Sequence, residues 1–64
     1  MKIRYDKEVD VFNLQLSDAE IVETDEVKPG LIIDYNKNGN IVNIEIINAS
    51  KHISHPNKVE YEFA

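Results

Sequence analysis

Sixty-four residues and 7.4 kDa leave room for one small domain, close to the lower limit for a chain that folds without metals, disulfides or partners. Seven basic residues against twelve acidic ones give a net charge of −5 and a pI near 4.8, a balance that argues against nucleic acid as a partner. The lack of cysteine excludes disulfides and thiolate metal sites, no apolar run nears the ~18 residues of a membrane span, and Met1 to Asp6 carries no apolar leader. The expectation is a single small β domain over 1–64, cytoplasmic and without membrane contact.

The chain reads as β almost throughout. Lys2 to Tyr5 alternates, with Ile3 and Tyr5 on one side, and makes a first strand. Asp6-Lys7-Glu8 suits a tight turn. Val9 to Leu16 makes the second strand. Its apolar phase slips between Val11 and Phe12, which a β-bulge or burial of both faces would explain. Ser17-Asp18-Ala19 is the next turn. Glu20 to Val27 is a weak, acidic strand for a sheet edge, where charge guards against strand-to-strand aggregation. Lys28-Pro29-Gly30 ends it, since proline cannot donate to a ladder and glycine tolerates positive φ.

Two β-branched runs within Gly30 to Ile47 flank Asn36-Lys37-Asn38-Gly39-Asn40. Asn-Gly is a strong hairpin signal, because a type I′ turn needs φ > 0 at both central residues. With Asn38 and Gly39 at the tip, Lys37 faces Asn40, Tyr35 faces Val42, Ile33 faces Ile44 and Leu31 faces Ile46. The opposite face then pairs Asn36 with Ile41, Asp34 with Asn43 and Ile32 with Glu45. A slip of one residue would scramble the separation of apolar from polar. Asn48 to Ile53 suits one helical turn with Asn48 as N-cap. After a turn at His55-Pro56-Asn57, Lys58 to Phe63 alternates as a last strand, with Val59, Tyr61 and Phe63 on one side.

Several of these stretches together resemble a known family. They are Pro29-Gly30-Leu31-Ile32-Ile33-Asp34-Tyr35, Asn38-Gly39, and the run from Ile41 through Ile47 to Asn48-Ala49-Ser50-Lys51. The opening Met1 to Asp6, with Asp10 and Leu16-Ser17-Asp18, joins them. The chain is similar over residues 1 to 51 to the short prokaryotic proteins of the domain-of-unknown-function 2283 family. Members often carry acidic residues where this chain has Asn36 and Asn38, and glycine where it has Asn43. The resemblance implies a small cytosolic β-rich domain and no particular activity. Members encoded beside small toxin-like proteins imply an antitoxin-like role.

One motif invites a metal. Asp34-Tyr35-Asn36-Lys37-Asn38-Gly39, five residues and Glu45 match the calcium-loop pattern, with Asp34, Asn36, Asn38 and Glu45 at ligand positions. Such loops sit between helices, whereas these flanks are strand-forming, and only Asp34 and Glu45 are anionic. The hairpin reading therefore outweighs the ion site. His52 and His55 have helical metal spacing, but Pro56 and the lack of a third ligand favour two ordinary loop histidines. Asp6, Asp10, Asp18, Asp34 and Glu45 are acid–base candidates by residue type alone. Ser17, Ser50 and Ser54 lack a nucleophile-elbow context. Tyr5, Tyr35 and Tyr61 fit either an interface or ordinary sheet surface.

The combined expectation is a mainly β fold: an antiparallel β-meander of five to six strands with one short helical turn. Leu31, Ile33, Tyr35, Val42, Ile44 and Ile46 form an apolar face, with Val59, Tyr61 and Phe63 added to it. One layer leaves that face uncovered, so the sheet either curls into a small barrel or is covered by dimerisation, and the homodimer is favoured. The expected function is a non-enzymatic interaction domain, antitoxin-like, whose acidic surface meets a basic protein partner. It needs no catalytic residue, cofactor or resident metal. The alternative is a weak divalent-cation-binding hairpin at Asp34–Glu45.

Overall fold

Alternating apolar and polar residues give most strands one apolar side, and the strands gather those sides on one face of an open sheet. The computed structural model describes residues 1–64. Its strands are β1 (Lys2–Asp6), β2 (Val11–Gln15), β3 (Glu23–Lys28), β4 (Leu31–Tyr35) and β5 (Ile41–Ile47), followed by a 3₁₀ turn at Ala49–Lys51. All neighbours are antiparallel, and the order across the sheet is β1-β2-β5-β4-β3. The meander therefore runs only from β3 to β5. Leu16 to Val22 carries the chain across the sheet end, and β5 returns to lie against β2. Leu16 N–H donates to Val42 O at 2.8 Å, and Val22 N–H donates to Tyr35 O at 2.9 Å, so both ends of this crossing extend a ladder. Edges β1 and β3 do not pair, so the sheet does not close into a barrel. No helix is long and apolar enough to cross a membrane.

Register assigns the faces. Ile3, Tyr5, Phe12, Leu14, Val42, Ile44, Ile46, Leu31, Ile33 and Tyr35 share one side, as the alternation requires. The other side carries Lys2, Arg4, Asp6, Asn13, Gln15, Asn43, Glu45, Asp34 and Thr24, with Val11, Ile32, Ile41 and Ile47 among them. Only Val42 and Ala49 are buried, at 2% and 0% exposure. The rest of the apolar face is half-buried or open, because one layer supplies no atoms above it. The turn after β5 folds back over part of it, where His52 shares a cleft with Leu31 and Ile46.

Three local expectations are corrected, and an alternative left open in the second strand is decided. The hairpin keeps Leu31 opposite Ile46 and Ile33 opposite Ile44, but Tyr35 pairs with Ile41 instead of Val42, through a bulge at Asp34/Tyr35. Gly39 N–H donates to Asn36 O at 3.0 Å and Asn36 N–H donates to Asn40 O at 2.9 Å. Only Gly39, at φ +80°, is left-handed in this turn. That is a three-residue loop ending in a glycine bulge, not a two-residue type I′ turn. The phase slip in the second strand also resolves without a bulge. Lys7 to Asp10 form the turn, β2 starts at Val11, and its ladders to β1 and β5 are regular. Both faces of β2 are half-buried instead.

Asn48 does not cap the turn after β5. It sits at φ 55°, ψ 46° with no side-chain capping bond, and the turn is 3₁₀. Lys58 to Phe63 forms no strand, and Val59, Tyr61 and Phe63 add nothing to the apolar face. A strand needs a neighbour to satisfy its backbone, and neither edge of this sheet pairs with that segment.

Candidate functional site

The densest polar constellation centres on Asp10, which the β1–β2 turn holds in the left-handed region at φ 57°. Aspartate tolerates that region better than most residues. The turn begins where Glu8 N–H donates to Asp6 Oδ1 at 3.1 Å. From this position Asp10 Oδ1 accepts Tyr5 O–H at 2.7 Å and Ser50 N–H at 3.0 Å, and Oδ2 accepts Ser50 O–H at 2.7 Å. Asp10 O also accepts Ala49 N–H at 2.9 Å. The first donors of the 3₁₀ turn are thus capped by a residue of the β1–β2 turn.

The donated hydrogen bonds set the charge states. Those from Ser50 and then Tyr5 hold the Asp10 carboxyl below the usual carboxylate range, with a smaller contribution from Lys51. The same bond to Asp10 pushes the Tyr5 phenol above its ordinary value, helped by partial burial and by the Asp10 and Asp6 charges. A carboxylate satisfied by three donors is a weak proton acceptor, so it draws little proton from Ser50. The arrangement acts as a clamp joining β1, the β1–β2 turn and the segment after β5. Among the acid–base candidates, Asp10 is the one the fold joins to a serine hydroxyl.

The calcium-loop residues fall on a hairpin. Asp34 Oδ1 accepts Thr24 O–H at 2.6 Å and Asp34 Oδ2 accepts Asn43 N–H at 3.2 Å. Asn36 Oδ1 accepts the N–H groups of Asn38 and Asn40 at 2.9 and 3.0 Å, so its oxygen serves the turn. Glu45 lies on β5 opposite Asn13 and Ile32. Asn38 projects from the exposed tip. No three His, Asp or Glu side chains cluster anywhere in the chain. His52 follows the 3₁₀ turn, its N–H donating to Ala49 O at 2.9 Å, and His55 is exposed beyond it.

The surface depressions are shallow and open. One on the polar face is lined by Arg4, Asp6, Val9, Val11, Asn13 and Glu45. Asn13 Oδ1 is buried there without a hydrogen-bond partner. Arg4 and Asp6 form an exposed ion pair at 3.7 Å. The acidic stretch lies where its charge suggested: β3 is an edge, and every one of its residues is exposed. It bears a bulge at Glu26/Lys28. Charge and a bulge both discourage another strand from pairing there.

Sequence reasoning missed the Asp10 clamp. The clamp left no local signal, since a polar residue between Val9 and Val11 is what an alternating strand carries. No curated protein and no solved structure matches the chain. Residues 2–50 match a family described as a protein of unknown function (DUF2283), a span that contains all five strands, Asp10 and Ser50. The chain belongs to that family.

Proposed function

We propose that this chain is a non-enzymatic interaction domain that works as a homodimer, stacked through its apolar face, and that its acidic edge engages a basic protein in an antitoxin-like role. The observation that carries the reading is surface. A compact monomer of this mass exposes about 4,200 Å². This chain exposes 5166 Å². The excess, about 950 Å², comes from the uncovered sheet face together with the extended Lys58–Phe63 segment, and an ordinary interface takes ~800 Å² from each partner. Stacking a second copy on Phe12, Leu14, Ile33 and Ile44 removes apolar area from water, at about 25 cal/mol per Å². A closed two-fold pair is the commonest arrangement of identical chains.

The basic-partner reading is supported by the exposed carboxylates of Glu23, Asp25 and Glu26, which line one edge of a chain with net charge −5. Sedimentation equilibrium from low to high micromolar concentration tests the dimer. A two-fold mass is expected, lost together with folded structure in Ile44→Asp. A folded monomer of wild-type chain at every concentration refutes it.

A further inference from the structure

Residues 58–63 have the pattern of a strand and no strand beside them. Val59, Tyr61 and Phe63 alternate with Lys58, Glu60 and Glu62, and their exposure rises from 53% to 73% to 88%. Lys58 Nζ and Glu60 Oε1 meet at 3.2 Å, the relation of same-side neighbours along an extended chain. The segment's one backbone hydrogen bond is local, Lys58 N–H donating to His55 O at 3.0 Å.

We propose that this segment is the sixth strand of a sheet in a second copy, paired antiparallel with that copy's β1. Four observations select the edge, the direction and the register. First, β1 is an open edge, with Met1 72% and Ile3 38% exposed. Second, antiparallel pairing with Ile3 opposite Tyr61 places Tyr5 opposite Val59 and Met1 opposite Phe63, apolar against apolar on the apolar face. The same register sets Lys2 opposite Glu62, Arg4 opposite Glu60 and Asp6 opposite Lys58, so every charged pair is of opposite sign. The two existing ion pairs, Arg4–Asp6 and Lys58–Glu60, then face one another head to tail.

Third, the neighbouring registers fail. Sliding by two residues one way sets Arg4 against Lys58, and the other way sets Asp6 against Glu60. The other edge, β3, offers Glu23, Asp25 and Glu26 to a segment that brings Glu60 and Glu62. Fourth, beyond the Asp10 clamp the chain turns toward the β4 side of the sheet. His52 lies against Leu31 and Ile46, with β5 and β2 between it and β1. In a face-to-face pair whose two-fold axis runs along the strands, the β3 side of one copy lies over the β1 edge of the other. That geometry brings the partner's β1 edge to the side toward which His52 turns. The inference rests on the dimer proposed above for that proximity.

The chain has no cysteine, so cross-linking reports the register directly. Ile3→Cys chain mixed with Tyr61→Cys chain under mild oxidation should give a disulfide-linked pair, several-fold more of it than Ile3→Cys with Val59→Cys. Equal yields overturn the register. An intrachain link in the double variant Ile3→Cys/Tyr61→Cys at high dilution overturns the exchange between copies. Glu60→Arg with Glu62→Arg, exposed positions that leave the five-stranded sheet untouched, should weaken the dimer about tenfold. Adding Lys2→Glu with Arg4→Glu to the same chain should restore it, and failure of the rescue refutes the charge pairing. A dimer by sedimentation that gives no Ile3–Tyr61 link refutes strand exchange and leaves the stacked dimer standing. A monomer at all concentrations removes both.

Discussion

Asp10 and Ser50 stand forty positions apart and share two hydrogen bonds, Ser50 N–H to Oδ1 at 3.0 Å and Ser50 O–H to Oδ2 at 2.7 Å. One carboxylate thereby closes the only helical turn of the chain onto the start of β2. The contact ties the segment after β5 to the opposite end of the sequence, in a fold with two buried residues. Loss of a clamp matters most where a core supplies little else.

Removal of that carboxylate should release the segment after β5 before it disturbs the sheet. Urea midpoints are expected to fall in the order wild type, Ser50→Ala, Asp10→Asn, Asp10→Ala. The last substitution removes every side-chain acceptor and places alanine at φ 57°. Amide exchange of Ala49 and Ser50 should accelerate in Asp10→Asn more than exchange of β4 or β5. Unchanged protection at Ala49 and Ser50 would show that the clamp holds nothing.

Acid should weaken the clamp with a definite sign. The folded Asp10 carboxyl lies below its ordinary value of 3.8, so its contribution is complete above that pH and is lost as pH falls through the folded value. The stability difference between wild type and Asp10→Asn should be flat near neutrality and shrink below about pH 4. A difference that instead grows on acidification contradicts the assignment.

Alkali acts on the other partner. The Tyr5 phenol lies above its ordinary 10.0, so its contribution is present below that pH and disappears as pH rises through the folded value. The absorbance titration of wild type minus that of Tyr5→Phe should show a midpoint above 10.0, moved down in Asp10→Asn. A Tyr5 midpoint that ignores Asp10→Asn rules out the hydrogen bond as its cause.

Two glycines share one backbone conformation and differ in crowding. Gly39, at φ +80°, has open space where a Cβ would stand, so Gly39→Ala should cost only the left-handed penalty, about 1 kcal/mol. At Gly30, φ +83°, a Cβ would come 3.3 Å from Ile47 O, so Gly30→Ala should cost more, about 2 kcal/mol. Gly30 O accepts Ile47 N–H at 2.8 Å, so relief by backbone movement would strain that bond. Equal losses in denaturant melts refute the crowding argument.

Calcium tests the motif at Asp34–Glu45. Thr24 and Asn43 donate to Asp34, and the Asn36 oxygen serves its own turn, so ion binding would displace bonds that hold the hairpin. Calorimetry should give no saturable heat below about 1 mM calcium. A submillimolar Kd that vanishes in Glu45→Ala refutes this.

The pairs Leu31 with Ile46 and Ile33 with Ile44 were legible because strand alternation is local and Asn38-Gly39 marks the tip. The tip geometry was not, since the same residues fit a two-residue turn and a three-residue loop with a bulge. The two differ by one step in where Tyr35 finds its partner. The acidic edge at Glu23–Lys28 was legible from charge alone, because carboxylates without counter-ions stay in water. The Asp10 clamp was hidden because it joins residues forty positions apart, and Asn48 offered a plausible cap two residues from Ser50.

The sequence by itself determined the alternation of β4 and β5, the apolar side those two strands share, and the need for glycine at Gly30 and Gly39. Each of these follows from spacings of a few residues and from the steric limits on φ. Tertiary structure alone decided that β5 lies between β2 and β4, that Asp10 caps the turn after β5, and that Lys58–Phe63 finds no strand in its own sheet. These are choices among distant partners of similar local quality. They are settled by which edges the chain can reach once its backbone groups are paired, and no local spacing records that reach.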